Sequence, residues 1–492
     1  MAHAQIALAC TSPPHLTTMI INQGGFSNAF FSSCRHMGAL ELRQMTWALS
    51  AAKNSVEAAE DPVIRAAFED LDPADYLDPM LGNLKEGQSP LRHVPSYEKF
   101  YFDLLTRAVY DEYWKKIGLC AENYYEQIPD IPVLLLGGWY DSYTRTTSEL
   151  YTGLSRIKKS PIRLIFGPWV HGWDSLKRTH SGEVEFGPDS SIKGTGIAST
   201  PDELAIMWFD YYLKGIDNGI GKMPPVKIFI MGGGTGERTP DDKLRHGGLW
   251  RDEKDWPLDR TEYTRYYLHK DGELSAKPPE GEVEPSTYTF DPRNPVPTLG
   301  GNISSAGGIM DPGAFNQVER PGVLGCKPPY LPLSSRDDVL VFQTTRLMEN
   351  VEVTGPISAK LWISSSAPDT DFTLKLIDQH PPCHDYPDGF AMNLTDTIYR
   401  ARFHSSWSKS ALLERGKIYL LKMISYPTSN LFKAGHRIRV DISSSNFPRF
   451  DINPNTREPL GRSRMFKNAH QKIYHESEHP SHIVLPLIPR KM

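Results

Sequence analysis

The sequence has few cysteines and no long apolar run. Its five cysteines are scattered, odd in number and form no CxxC pair. This spacing favours neither a disulfide framework nor a zinc ribbon. No stretch approaches the ~18 apolar residues that span a bilayer, and no charged segment followed by an apolar one opens the chain. We therefore expect a soluble protein of a reducing compartment, the cytoplasm, with no membrane partner.

The chain also has no excess of basic residues over acidic ones. The 492 residues include 54 Lys and Arg against 59 Asp and Glu, which gives a formal net charge of -5. Because nucleic-acid binding needs clustered basic side chains that displace counterions, we predict no nucleic-acid partner. With 39% hydrophobic and 23% charged residues, the chain is typical of globular proteins and long enough for more than one domain.

The sequence pattern changes from α/β to all-β along the chain. The apolar runs IPVLLLGGWYD (131–141) and IRLIFGPWVHG (162–172) predict two buried parallel strands, and an amphipathic segment between them predicts a crossover helix. From about residue 240, short runs of period-two alternation indicate a β-sandwich, most clearly at 437–442. The predicted fold class is therefore α/β plus all-β.

A polar stretch interrupts the predicted α/β part. It contains helix candidates near 43–58, 61–70 and 97–116, and a helical block between core strands is expected to form a lid. The predicted domains are an α/β domain from 1–40 and 126–239, a helical lid from 41–125, and a sandwich from 240–492.

Two candidate catalytic residues follow the predicted buried strands. Asp141 and His171 stand at the carboxyl edge of the sheet, where α/β folds hold their ligand sites. An aspartate that bonds one imidazole nitrogen fixes the tautomer, so the other nitrogen can accept a proton from a nucleophile. The alternative is that Asp141 caps the next helix and His171 is a solvated loop residue.

Aromatic residues surround both polar groups. Bulky amphipathic rings beside an acid and a base are typical of a pocket wall rather than of a plain turn. The predicted wall residues are Trp139, Tyr140, Trp169 and Trp173. His180 is interpreted as a loop or lid residue, although it follows His171 closely enough along the chain to line a pocket.

A serine nucleophile is harder to find. Acyl transfer needs a serine on a strained elbow, usually G-x-S-x-G, and this pattern does not occur in the chain. The nearest match, GFSNA at 25–29, would give the order Ser27, Asp141, His171. Only one predicted strand precedes Ser27, whereas a nucleophile strand lies within the sheet, so Ser27 is a weak candidate.

One histidine-rich stretch resembles a metal site. QHPPCHDYPD holds potential ligands, but two prolines splay its backbone and a zinc site needs four convergent ligands. The residues concerned are His380, Cys383, His384 and Asp385. We predict no metal and no cofactor.

Longer motifs carry a resemblance. GGWYD, GPWVHG, VTGPISAKLWISSSAPDTDFTLKLID and PTSNLFKAGHRIRVDISSSNFPRFD resemble the cocaine esterase and X-Pro dipeptidyl-peptidase (CocE/NonD) family of serine hydrolases, over nearly the entire chain. The resemblance implies a partial α/β-hydrolase sheet with a helical lid insertion and a jelly-roll-like C-terminal sandwich. It also implies that Asp141 is the triad acid and His171 the general base.

The chain departs from that family at its start. The family's G-x-S-Y elbow leads directly into a helix resembling MAHAQIALA, so the resemblance puts the nucleophilic serine, and the tyrosines that serve the oxyanion hole, before Met1. We therefore expect an N-terminally truncated hydrolase of small ester, amide or X-Pro peptide substrates that is inactive by itself. Its TTMIIN strand would lack a neighbour and favour aggregation or a homo-oligomer. The alternative is a non-catalytic binding or scaffold protein that uses its β-sandwich.

Overall fold

The computed structural model describes residues 2–77, 86–461 and 465–489. Within them lie eight α-helices: α1 (Ala2–Ala9), α2 (Ala29–Ser32), α3 (Arg43–Lys53), α4 (Val56–Glu60), α5 (Pro62–Glu69), α6 (Pro95–Thr106), α7 (Thr144–Ile157) and α8 (Pro201–Lys214). Short 3₁₀ segments occupy Pro73–Tyr76, Pro90–His93, Ala121–Gln127, Trp173–Lys177, Pro188–Ser190, Ile192–Thr195, Ile220–Lys222, Lys270–Gly272, Leu333–Ser335 and Ala401–Phe403. None of the helices in these ranges is long and apolar enough to cross a membrane.

The strands fall into two groups along the chain. The first eight are β1 (Met19–Asn22), β2 (Arg35–His36), β3 (Ala39–Leu40), β4 (Val133–Gly138), β5 (Ile162–Gly167), β6 (His180–Ser181), β7 (Val184–Glu185) and β8 (Val226–Gly232). The others are β9 (Leu244–Arg245), β10 (Gly248–Glu253), β11 (Glu262–Leu268), β12 (Leu274–Ser275), β13 (Ser286–Phe290), β14 (Leu340–Gln343), β15 (Val351–Gly355), β16 (Ser358–Ser365), β17 (Asp371–His380), β18 (Phe390–Arg400), β19 (Tyr419–Ile424), β20 (Thr428–Phe432), β21 (Arg437–Ser443), β22 (Ala469–Tyr474) and β23 (His482–Leu487).

Parallel strands in the order β1-β4-β5-β8 form the α/β part. All six residues of β4 are buried, as expected for an apolar strand covered on both faces. Leu150 and Leu154 on α7 are fully buried and pack in the same core as Leu135 of β4, which confirms the predicted crossover helix. The carboxyl ends of β4 and β5 therefore meet at one edge of the sheet.

The same sheet continues into the C-terminal strands. β8 pairs in parallel with β20, and the order then runs β20-β15-β23-β16-β22-β13. A second, antiparallel sheet has the order β14-β21-β17-β18. The predicted α/β part followed by a β-sandwich is confirmed. One continuous sheet contains strands of both parts and so marks no boundary between them. The domain boundary at 240 stays a prediction.

The inserted helices α3, α5 and α6 share a hydrophobic core with α2 and with Phe447 of the C-terminal part. The candidate helix 43–58 divides in two because the Ser55 side chain accepts a hydrogen bond from the backbone of Ala58 and starts α4. The candidate helix 97–116 ends at Thr106. Beyond it the backbone N–H of Tyr110 donates to the carbonyl of Trp407, so the chain is held by the C-terminal part instead.

The most regular alternation in the sequence, at 437–442, does form a strand, but its polar residues are not on the surface. Arg439 and Asp441 on β21 are 5% and 7% exposed, and the guanidinium donates to both carboxylate oxygens at 2.7 Å. Buried charges of this kind must be paired. Alternation therefore identified the strand correctly, whereas the burial of both its faces depends on tertiary packing.

Candidate active site

Asp141 and His171 lie side by side at the carboxyl edge of the parallel sheet. The distance between Nδ1 of His171 and Oδ1 of Asp141 is 3.0 Å. The aspartate side chain is fully buried, whereas the imidazole is 37% exposed. Among the described residues, nothing forms a hydrogen bond with Nε2 of His171. One ring nitrogen is thus bound to the acid, and the other is available to an incoming group.

The loop that carries Asp141 is held from the C-terminal part of the chain. The Asn302 side-chain amide donates to the carbonyls of Trp139, at 2.6 Å, and Asp141, at 3.2 Å. The backbone N–H of Tyr143 donates to Oδ1 of Asp141 at 3.2 Å. These bonds hold the loop and one oxygen of the Asp141 carboxylate in place.

Gln23 braces the loop that carries His171. Its Oε1 accepts a hydrogen bond from the backbone of Gly172 at 2.6 Å, and its Nε2 donates to the carbonyl of Val170 at 2.7 Å. The two contacts flank His171 in the chain. Sequence reasoning missed this residue, although it directly follows β1, which pairs with β4 and ends at the same sheet edge.

Gly138 allows the two loops to approach each other closely. A Cβ atom at this position would lie 2.3 Å from the carbonyl oxygen of Trp169. We expect Gly138→Ala to push the His171 loop away and to lower the free energy of unfolding by about 3 kcal/mol, measured by urea denaturation. The control, Gly196→Ala, has open space and φ near +71°, so about 1 kcal/mol is expected from backbone strain alone. Equal losses in the two variants would contradict this role for Gly138.

The start of α1 approaches Asp141 and His171 through a group of rings. The Tyr143 ring lies 5.3 Å from that of His171 and 4.9 Å from that of His3. His3 stacks on Phe26 at 4.0 Å and accepts a hydrogen bond from the backbone of Gly25 at 3.0 Å. Burial, helped by the charge of Arg43, lowers the pKa of His3 to about 3, so its ring is neutral beside His171.

The structure does not put most of the predicted aromatic residues on a pocket wall. Trp139 and Tyr140 are 0% exposed and Trp169 is 1% exposed, so all three belong to the core. Their polar groups donate to buried backbone carbonyls, namely those of Phe229, Asn393 and Ser190. Only Trp173 of this set is partly exposed, and it donates to the Asp202 carboxylate. Internal acceptors thus allow these amphipathic rings to be buried completely.

Ser27 does not contact Asp141 or His171. It is 1% exposed, and its hydroxyl bonds with that of Tyr125 at 2.9 Å. Its backbone N–H donates to the Thr146 hydroxyl. In this arrangement the hydroxyl faces neither solvent nor His171.

The four residues of QHPPCHDYPD do not converge either. His380 is buried, whereas Cys383 is exposed, and its Sγ lies 3.9 Å from the carbonyl oxygen of Gly236. Asp385 accepts a hydrogen bond from the backbone of Arg238. The absence of a metal in this stretch stays a prediction.

A cleft of about 420 Å³ opens beside the His171 loop. It reaches Val170, the residue before His171, and its charged and polar lining includes Arg178, His180, Asp311 and Arg320. His180 therefore lines a cleft that reaches the neighbour of His171 in the chain.

Family comparisons agree with this architecture. A family model described as the X-Pro dipeptidyl-peptidase C-terminal non-catalytic domain matches residues 218–484, and one described as X-Pro dipeptidyl-peptidase (S15 family) matches residues 1–173. The cocaine esterase of Rhodococcus sp. (strain MB1 Bresler) is 35% identical over 392 residues, covering 77% of this chain and 60% of that esterase. The chain thus spans about three fifths of the length of this relative.

Solved structures show the same fold at lower identity. An α-amino acid ester hydrolase has a TM-score of 0.73 at 21% identity, covering 99% of this chain and 75% of its own. An aminopeptidase from a marine sediment Thaumarchaeota archaeon has a TM-score of 0.73 at 21% identity, with 98% and 74% covered. A CocE/NonD family hydrolase from Staphylococcus aureus has a TM-score of 0.61 at 14% identity, with 99% and 70% covered. With one family model matching more than half of its residues, the chain belongs to the cocaine esterase and X-Pro dipeptidyl-peptidase family.

Proposed function

We propose that this chain provides the acid and the base of a serine hydrolase that cleaves ester or amide bonds, X-Pro dipeptidyl bonds among them. The observation that carries the proposal is the 3.0 Å contact between Nδ1 of His171 and Oδ1 of Asp141, on loops that follow adjacent parallel strands. A buried carboxylate and a partly exposed imidazole are the arrangement that proton transfer to and from a hydroxyl needs.

The roles follow from which ring nitrogen is bound. Asp141 accepts a hydrogen bond from the Nδ1–H of His171, which fixes the tautomer that has its lone pair on Nε2. Nε2 takes the proton of a serine hydroxyl as its oxygen attacks the substrate carbonyl carbon. The same proton then passes to the leaving alcohol or amine as the acyl bond breaks. A water molecule then attacks the acylated serine with the same proton transfers through Nε2. This step releases the carboxylic acid and restores the serine hydroxyl.

We assign the nucleophile to a serine that precedes Met1. Among the described residues no hydroxyl is bound to His171, and α1 begins beside it through the contacts of His3 and Tyr143. β1 is the outermost parallel strand of the described sheet, and preceding strands, or a second copy of the chain, would pair with its free edge. In this proposal the 492 residues alone are almost inactive.

The cleft beside Val170 supports a small-molecule or peptide substrate. Its volume of about 420 Å³ suits one acyl group with its leaving group. The names of the similar proteins refer to a cocaine ester, an α-amino acid ester and an aminopeptidase substrate, all of which react by acyl transfer to water. We infer that this chain belongs to an enzyme of the same reaction class.

Covalent labelling by a fluorophosphonate tests the assignment of the nucleophile. We expect the probe to label one serine before Met1 in a protein extended upstream by its own coding sequence, because only an activated hydroxyl reacts. The 492-residue chain should remain unlabelled. The matched control is Ser27→Ala in both proteins, which should change neither result. Labelling of the 492-residue chain that disappears with Ser27→Ala would instead identify Ser27 as the nucleophile.

A further inference from the structure

A cluster of buried metal-ligand side chains lies away from the catalytic pair. His246 stands between β9 and β10, whereas Asp378 and His380 are on β17. One potential ligand atom from each residue lies within 4.8 Å of the other two. The residues are 3%, 0% and 5% exposed, respectively. Because ionisable groups are seldom buried without partners, this cluster needs a physical explanation.

Surrounding hydrogen bonds orient two of the three side chains. Asp378 accepts from Nδ1 of His436 at 2.8 Å and from the side-chain amide of Asn430 at 3.0 Å. The amide oxygen of Asn430 faces Nε2 of His246 at 2.7 Å, so that nitrogen must donate. A neutral imidazole that donates from Nε2 keeps a lone pair on Nδ1. Outer hydrogen bonds of this kind fix the tautomer and orientation of histidines that bind metals.

The third side chain lacks a partner. Nε2 of His380 is buried, has no hydrogen-bond partner among the described residues, and lies 3.9 Å from Oδ2 of Asp378. The Asp378 carboxylate cannot donate a hydrogen bond to it while ionised. A buried nitrogen without a partner costs free energy, which a cation between the nitrogen and the carboxylate would recover.

We propose that His246, Asp378 and His380 bind a divalent transition-metal ion, for which Zn²⁺ fits the two imidazoles and one carboxylate best. Ligand bonds of about 2.0–2.1 Å put two ligands of a tetrahedral ion roughly 3.4 Å apart. The present separations therefore require the side chains to move inward by about 1 Å or somewhat more. The remaining coordination position would be filled by water.

The ion would connect two parts of the fold. His246 precedes β10, which pairs with β8 of the parallel sheet, whereas Asp378 and His380 belong to the second sheet of the sandwich. A metal bound across them ties these two sheets together, and its binding free energy adds to the stability of the folded state. This role is independent of the proposed hydrolase activity and differs from the sequence-based expectation of no metal.

Metal content tests the proposal on the full chain. After removal of metals with a chelator and addition of Zn²⁺, we expect about one equivalent to remain after gel filtration, measured by mass spectrometry of the eluted metal. His380→Ala should weaken Zn²⁺ binding at least about 100-fold, because it removes a ligand. The matched control, His384→Ala, removes an exposed histidine four residues away and should bind Zn²⁺ as the unmodified chain does.

A second measurement uses the unmodified chain, so it does not require any variant to fold. Co²⁺ bound to the unmodified chain should show the visible ligand-field absorption of a low-coordinate nitrogen and oxygen site. The spectrum of hexa-aqua Co²⁺ would overturn the proposal. Zn²⁺ retention well below one equivalent, or equal retention by His380→Ala and His384→Ala, would overturn it too.

Discussion

Replacing His171 with alanine is expected to reduce kcat/KM for a p-nitrophenyl ester by about 10⁴- to 10⁶-fold in the protein extended upstream to include the proposed serine. The imidazole lies 3.0 Å from the Asp141 carboxylate, and without it the proposed serine hydroxyl loses its base. Asp141→Asn should cost about 10⁴-fold, because an amide would stabilise the wrong tautomer of the ring. Initial rates over a range of substrate concentrations provide the measurement.

Two controls separate chemistry from folding. Ser27→Ala should leave kcat/KM within about twofold, since the Ser27 hydroxyl bonds with Tyr125 instead of the catalytic pair. Circular dichroism should show the same secondary structure for the His171→Ala protein and the unmodified protein. Activity of the His171→Ala protein within tenfold of the unmodified protein would contradict the assigned base.

Replacing Arg400 with methionine is expected to cause the largest loss of stability of any single change considered for this chain, about 3–5 kcal/mol. Arg400 is 0% exposed and donates to both carboxylate oxygens of Asp371, at 3.0 and 2.8 Å, and to Asp451 at 2.8 Å. Asp451 in turn accepts a hydrogen bond from the backbone of Leu40, so the cluster joins the sandwich to the N-terminal part. Without the guanidinium, two buried carboxylates lose their counter-charge.

The loss of stability caused by Arg400→Met should depend on pH. Burial raises the pKa of Asp371 to about 6, even beside Arg400, which is above the ~3.9 of an unfolded aspartate. The folded state therefore binds this proton more tightly than the unfolded state, and its stability falls as pH rises through this range. Removing the positive charge raises the pKa further. The Arg400→Met chain should thus be less destabilised at pH 5 than at pH 8.

An exposed ion pair provides the matched comparison. Lys417 lies 2.6 Å from Glu414, with side chains 56% and 71% exposed. We expect Lys417→Met to leave the free energy of unfolding almost unchanged, because water screens this pair. Denaturant midpoints at both pH values check the contrast. Similar midpoints for the Arg400→Met and Lys417→Met chains would show that the buried cluster is not a main support of the fold.

Local patterns were sufficient for the elements that position the candidate site. The runs at 131–138 and 162–167 are apolar throughout because both faces of a parallel strand are covered, so their burial could be predicted from neighbouring residues alone. Asp141 and His171 follow these runs directly. Their meeting was therefore predictable, since adjacent parallel strands end at one edge.

The burial of the aromatic side chains depends on long-range contacts, which local sequence patterns do not specify. Trp139 and Tyr140 could have lined a pocket or the core, and the choice was made by carbonyl acceptors at Phe229 and Asn393, about 90 and 250 residues away. The brace formed by Gln23 depends likewise on the packing of β1 against β4.

By itself, the sequence determined the strands β4, β5 and β21, the order of the two parts, and the positions of Asp141 and His171 after adjacent strands, because these depend on patterns over a few residues. Only the tertiary structure decided which aromatic rings are buried. It also decided that His380 lies close to His246 and Asp378, and not in a cluster with Cys383 and His384. The physical reason is that burial and the satisfaction of buried polar groups depend on partners from distant parts of the chain, which no local pattern specifies.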